Sequence, residues 1–223
     1  MKKALLLLIP SFLFALQLPV HKEVLDNGLT VLLHPNKQSP TVSCRLFYVT
    51  GSVHEVPGSS GLAHMLEHEL FKGTRKVGIT DSIADSVFIY KQDSLQALMR
   101  PLIQKGDTTH YLKLKAEHDS IVNEHRKIFV KDELWSTYQA AGGTGLNAFT
   151  SDLMTAYIVT LPKNKVELFL WLEADRMQNA VLREFYSERD VVREERRMRY
   201  DDRPTGRFYE TMNSMIYEAF PYR

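Results

Sequence analysis

Apolar positions change period several times along the chain, and each change marks a predicted element. Asp26-Asn27-Gly28 is a turn signal ahead of Leu29-Thr30-Val31-Leu32-Leu33, a β-rich run. A polar loop from Pro35 to Pro40 separates it from a second strand over 41–50. The stretch Gly51 to Ser60 is rich in glycine, proline and serine, and 61–72 then reads as a helix closed by Gly73. Residues 79–138 lack strand alternation and hold two helical stretches, about 82–104 and 110–129, broken at Pro101 and at Lys105-Gly106-Asp107. Glu117-His118 recurs there as Glu124-His125, on one helical face that reads as the solvated side of a helical hairpin. Gly142-Gly143-Thr144-Gly145 is a turn before Leu146 to Thr150, and Thr155 to Leu161 is a β-branched and aromatic run stopped by Pro162. Asn164 with Glu167, and Ser187 with Asp190, resemble capping boxes that open helices to about Asn179 and over 188–202. This irregular alternation predicts an α+β domain with helices packed on a largely antiparallel sheet.

The N-terminus follows a different pattern. Met1-Lys2-Lys3 is basic, and Ala4 to Leu16 is apolar but for Pro10 and Ser11. The run is shorter than the roughly 20 residues a membrane span requires, so 1–17 is expected to be a signal peptide and not a stable membrane span. That places the chain in an exported class, periplasmic or extracellular. Its one cysteine, Cys44, can form no internal disulfide and sits in the second predicted strand, where a core position is expected. A net charge of +1 gives no reason to expect nucleic acid as partner.

The chemistry concentrates in His64-Met65-Leu66-Glu67-His68. On a helix, Glu67 and His68 lie about 300° and 400° on from His64, so all three share one face and the imidazoles stand one turn apart. Two neutral imidazoles suit zinc, and a catalytic zinc takes a third protein ligand and keeps an open position. Glu67 is too close to the first histidine to be a comfortable third ligand, but it is well placed to take a proton from water. Leu62, Leu66 and Leu70 fall on the opposite face and are expected to hold the helix to a core.

A second helix offers the missing carboxylate. With Glu188 as reference, Val191, Val192, Glu195 and Met198 all fall within about 80° of it, whereas Arg193, Glu194 and Arg197 point away and Arg196 stands at the margin. Two carboxylates on the apolar side of a helix are costly unless a cation pairs them. One of Glu188 and Glu195 is therefore expected to bind the metal and the other to lie beside it, orienting a ligand or handling a proton.

Gly61 to Thr74, containing the His64-x-x-Glu67-His68 motif, resembles the signature of the insulinase/pitrilysin family of zinc peptidases. Leu25 to Val31 resembles that family's first strand, Gly142 to Ser151 its glycine-rich turn and Asn-Ala-x-Thr strand, and Ser187 to Arg197 its distal glutamate helix. The resemblance implies one zinc per chain held by His64, His68 and Glu195, with Glu67 and Glu188 as catalytic residues. It also implies that Asn147, Ala148, Phe149 and Thr150 form an edge strand to which a peptide substrate adds. His68 and Glu195 are farther apart in sequence than is usual in the family. The segment 79–138 accounts for the excess and resembles a helical insert of a bacterial branch. The family pairs a domain like 18–223 with a homologous second domain that closes the substrate chamber, and its pattern continues past Arg223. A truncated product, or a second polypeptide supplying the rest, is the expectation.

The function implied is zinc-dependent hydrolysis of peptides or unfolded segments. The alternative is a zinc- and peptide-binding subunit, or a half that needs a partner domain for activity. A thioether lyase of related fold shares the motif but relies on a cysteine near its metal, and Cys44 lies upstream in a predicted core strand.

Overall fold

The computed structural model describes residues 19–56 and 58–217. The segment read as a signal peptide lies outside them. Among the described residues no helix is long and apolar enough to cross a membrane.

The chain divides into a short unit up to Pro40 and a large one from Thr41. The short unit is a hairpin of β1 (His21–Val24) and β2 (Thr30–Leu33), paired antiparallel. Its turn closes with Gly28 N–H donating to Leu25 O at 2.8 Å, and Gly28 takes φ +85°, which favours glycine.

The large unit is built on three antiparallel strands in the order β3 (Thr41–Tyr48), β5 (Thr155–Pro162), β4 (Thr144–Thr150). β5 is central, and its Tyr157, Val159 and Leu161 are at most 2% exposed. Val159 and Leu161 pack with Cys44, Leu134, Tyr138, Phe169 and Leu172, so Cys44 is a core residue as expected. The helices are α1 (Leu62–Glu69), α2 (Ser82–Lys105), α3 (Thr108–Arg126), α4 (Glu133–Ala140), α5 (Val166–Asn179), α6 (Phe185–Arg196) and α7 (Pro204–Ile216). Helices over an antiparallel sheet make the fold α+β, as the pattern predicted.

Several local expectations are corrected. Pro101 lies inside α2 and does not break it. His118 and His125 are 6% and 2% exposed, because α2 and α3 pack along the face that bears them. Leu62 and Leu66 are 56% and 49% exposed, so of the three leucines only Leu70 is buried; Met65, Glu67 and Glu69 face inward in their place. Neither capping box forms: α5 starts from Lys165 without a side-chain cap, and α6 starts earlier than expected, from Glu184 in the left-handed region at φ +56°.

Beneath the sheet, Arg176 Nη1 donates to Glu173 Oε1 and Oε2 at 2.8 and 3.0 Å, and Tyr138 Oη donates to Glu173 Oε1 at 3.0 Å. The guanidinium also lies 4.2 Å from the Tyr157 ring centre, a cation–π contact. Removing one member of such a pair leaves a buried charge unmatched. Glu173→Ala is therefore expected to cost about 3–5 kcal/mol in unfolding free energy, measured by urea titration.

Candidate metal centre

α1 and α6 pack against each other and carry the predicted site residues into one place. His64, His68 and Glu195 each offer a ligand atom, and these atoms all lie within 4.8 Å of one another. The imidazole centres are 4.8 Å apart, as one helical turn allows, and their planes are near perpendicular. His64 Nε2 stands 3.7 Å from Glu195 Oε2, and His68 Nε2 stands 3.6 Å from Glu195 Oε1. Arg199, on the π-helical turn Arg197–Asp201, reaches within 2.9 Å of Oε2 but off the hydrogen-bond direction, so that buried oxygen has no hydrogen bond. Two imidazoles and an under-satisfied carboxylate form the donor set of a three-ligand zinc site, and the residues fit such an ion.

Glu67 shares the helix face but points beside the trio. It is 8% exposed, and its Oε2 accepts from Thr150 Oγ1 at 2.6 Å. Thr150 thus spends its hydroxyl on Glu67, while Asn147 and Phe149 stay exposed and Ala148 is half-buried. β4 is an edge of the sheet among the described residues, with Asn147 to Thr150 paired only to Ile158 to Thr155 of β5. A cavity of about 530 Å³ opens beside this edge, lined by Glu67, His68, Phe71, Trp135, Asn147 and Glu188.

Glu188 sits one step behind. Its Oε2 lies 3.4 Å from His68 Nδ1 and its Oε1 lies 2.6 Å from Lys72 Nζ. The hydrogen bond from His68, joined by that from Lys72, outweighs burial and holds the Glu188 carboxyl below its ordinary range. The same bond raises the His68 pKa, whereas burial and the neighbouring His68 lower that of His64. Burial, reinforced by the charge of Glu188, pushes the Glu69 carboxyl up to about 8.

The model of the family described as Insulinase (Peptidase family M16) matches residues 30–87. A zinc protease of Helicobacter pylori, PqqE, is 30% identical over 210 residues, covering 92% of this chain and 35% of that protein. The crystal structure of a protease from Helicobacter pylori superposes with a TM-score of 0.60 at 26% identity, covering 92% of this chain and 37% of that one. The chain belongs to the insulinase family. The first half of the periplasmic protease PqqL from Escherichia coli shares the fold, with a TM-score of 0.56 at 20% identity over 87% of this chain and 32% of that one. This insulinase-family chain thus spans about a third of the length of these relatives.

Lys72 and Arg199 were missed by the sequence reading. Lys72 lies one helical turn beyond His68, and that spacing was the available signal. Arg199 lies four residues beyond Glu195, where the helix widens to a π turn, and nothing in the periodicity announced it.

Proposed function

We propose that this chain is the metal-bearing part of an exported zinc-dependent endopeptidase that cleaves peptides or unfolded protein segments. The observation that carries the reading is the trio His64, His68 and Glu195, gathered within 4.8 Å, with His68 lining the cavity that the β4 edge borders. Those three residues would hold one zinc, which when bound polarises the scissile carbonyl and acidifies water. Glu67 takes a proton from the attacking water and returns it to the leaving amine. Thr150 holds Glu67 Oε2, and no hydrogen bond engages Oε1 among the described residues, which leaves one oxygen for that exchange. Glu188 accepts from His68 Nδ1 and so turns Nε2 toward the trio, the usual work of a carboxylate behind a metal-binding imidazole. Peptide would pair in extended form along Asn147, Ala148, Phe149 and Thr150, backbone to backbone, which makes for broad sequence tolerance.

The chain's share of its relatives' length favours a second domain or subunit that closes the chamber, and supports a second reading in which this part binds zinc and peptide but turns over only with that partner. The test is cleavage of an unfolded protein by the chain alone and with that second domain supplied. Cleavage is expected to stop on chelation with 1,10-phenanthroline and to return with stoichiometric zinc. Cleavage indifferent to the chelator would sink the proposal.

A further inference from the structure

One buried guanidinium ties together the loop that leaves α1 and the loop that enters α6. Arg183 is 1% exposed, and all five of its N–H donors are used. Nη1 donates to Lys72 O at 3.0 Å and Val77 O at 3.2 Å, Nη2 to Thr74 O, and Nε and Nη2 to Asp85 Oδ1 and Oδ2 at 2.9 Å each. Two glycines make room for it. A Cβ on Gly73 would lie 3.2 Å from Nη1 and 2.2 Å from Val77 O, and one on Gly78 would lie 3.3 Å from Nη1 and 2.7 Å from Lys72 O.

The acid of this clamp comes from the helical segment that supplies no ligand. Asp85, in the first turn of α2, is 1% exposed, and its Oδ1 also accepts from His125 Nε2 of α3 at 2.8 Å. His125 Nδ1 faces Gln92 Nε2 at 2.9 Å, and the ring stacks 5.0 Å from Phe88. A neutral imidazole protonated on Nε2 satisfies both contacts.

Lys72 and Glu188 link the clamp to the metal site. Lys72, fixed through its carbonyl, sets its ammonium 2.6 Å from Glu188 and 3.4 Å from Glu184, the residue that follows Arg183 and caps α6. Glu188 in turn lies 3.4 Å from His68 Nδ1. A continuous path runs from Asp85 through Arg183, Lys72 and Glu188 to His68. We infer that Asp85 and Arg183 are positioning residues for the metal centre, setting the approach of α1 to α6, and that the α2–α3 hairpin serves the site by carrying Arg183's counter-charge. This rests on the zinc reading above.

The test compares zinc affinity, by competition with a chromophoric chelator, and the visible spectrum of bound Co²⁺ in the 223-residue chain and its variants. Measurements are made well below the melting temperature of each zinc-free protein. Asp85→Asn keeps shape but leaves Arg183 without a counter-ion, and is expected to weaken zinc about 10–100-fold and to alter the cobalt bands. Asp119→Asn, which breaks the exposed Lys115–Asp119 pair at 2.5 Å on the same hairpin, is expected to change neither. The double variant Asp85→Leu with Arg183→Met leaves no lone buried charge, and so guards against simple unfolding; it too is expected to bind zinc weakly. Wild-type affinity and an unchanged cobalt spectrum in Asp85→Asn and the double variant, with only the melting temperature lowered, would make the clamp purely structural and overturn the inference. A wild-type chain that binds no zinc would overturn the functional reading, and this inference with it.

Discussion

Glu67→Gln is expected to keep zinc and peptide while cleavage falls about 10²–10⁴-fold, the worth of a positioned general base. The carboxylate is 8% exposed and lies beside the His64–His68–Glu195 trio without belonging to it. Gln is nearly isosteric, and its carbonyl oxygen can still accept from Thr150 Oγ1, which donates to Glu67 at 2.6 Å. The helix and both imidazoles should therefore stay in place, and the substitution removes basicity alone. Zinc content, peptide affinity and cleavage are measured on one preparation with the second domain supplied. Undiminished cleavage would transfer the role of base to another group, with Glu188 the nearest choice.

Strands and helices were legible where period and burial agree. β3 and β5 were found almost to the residue because their branched and aromatic runs lie in or beside the core. α4 and α7 were missed. α4 is a short helix that follows Asp132 in the left-handed region, without a side-chain cap. α7 opens with Pro204 at its first position, and its apolar Phe208, Met212, Met215 and Ile216 recur at helical spacing, so its period was present in the sequence although Phe208, Met215 and Ile216 are 61–74% exposed. Pro101 misled in the opposite direction. A long helix packed along a partner absorbs a proline in its last turns, where tertiary contact outweighs the lost hydrogen bond.

The candidate site was more legible than its supports. Helical spacing alone placed His64, Glu67 and His68 on one face, and α6 turned Glu188 and Glu195 inward as predicted. Charged groups that pair across distant segments leave no such periodic trace. Asp85 and Arg183 are 98 residues apart, and each alone resembles an ordinary surface charge. His125 was read as solvated for the same reason: an alternation of Glu and His on a helix face does not reveal that an acid from the neighbouring helix waits for one of them. Leu62 and Leu66 err the other way, since an apolar position states a preference for burial but does not supply a neighbour.

Adjacent glutamates on α6 allow a sharp test of the ligand set. Glu195→Gln is expected to strip most of the zinc from the purified chain, whereas Glu194→Gln should retain it. The two side chains differ by one position and therefore by about 100° around the helix. Glu195 turns inward, its side chain 23% exposed and its oxygens 3.6–3.7 Å from His68 and His64 Nε2. Glu194 turns outward, 48% exposed, and pairs with Arg197 at 2.7 Å. An exposed pair of that kind contributes little to stability, so its loss should leave the fold and the trio alone. Gln at 195 keeps the volume and can still offer a carbonyl oxygen, but not the negative charge that a doubly charged ion needs beside two neutral imidazoles. Elemental analysis after dialysis against a weak chelator reads the result directly. Equal zinc loss in both variants, or in neither, would reject Glu195 as the third ligand and leave Glu188, 3.4 Å from His68 Nδ1, as the remaining carboxylate within reach of the imidazoles.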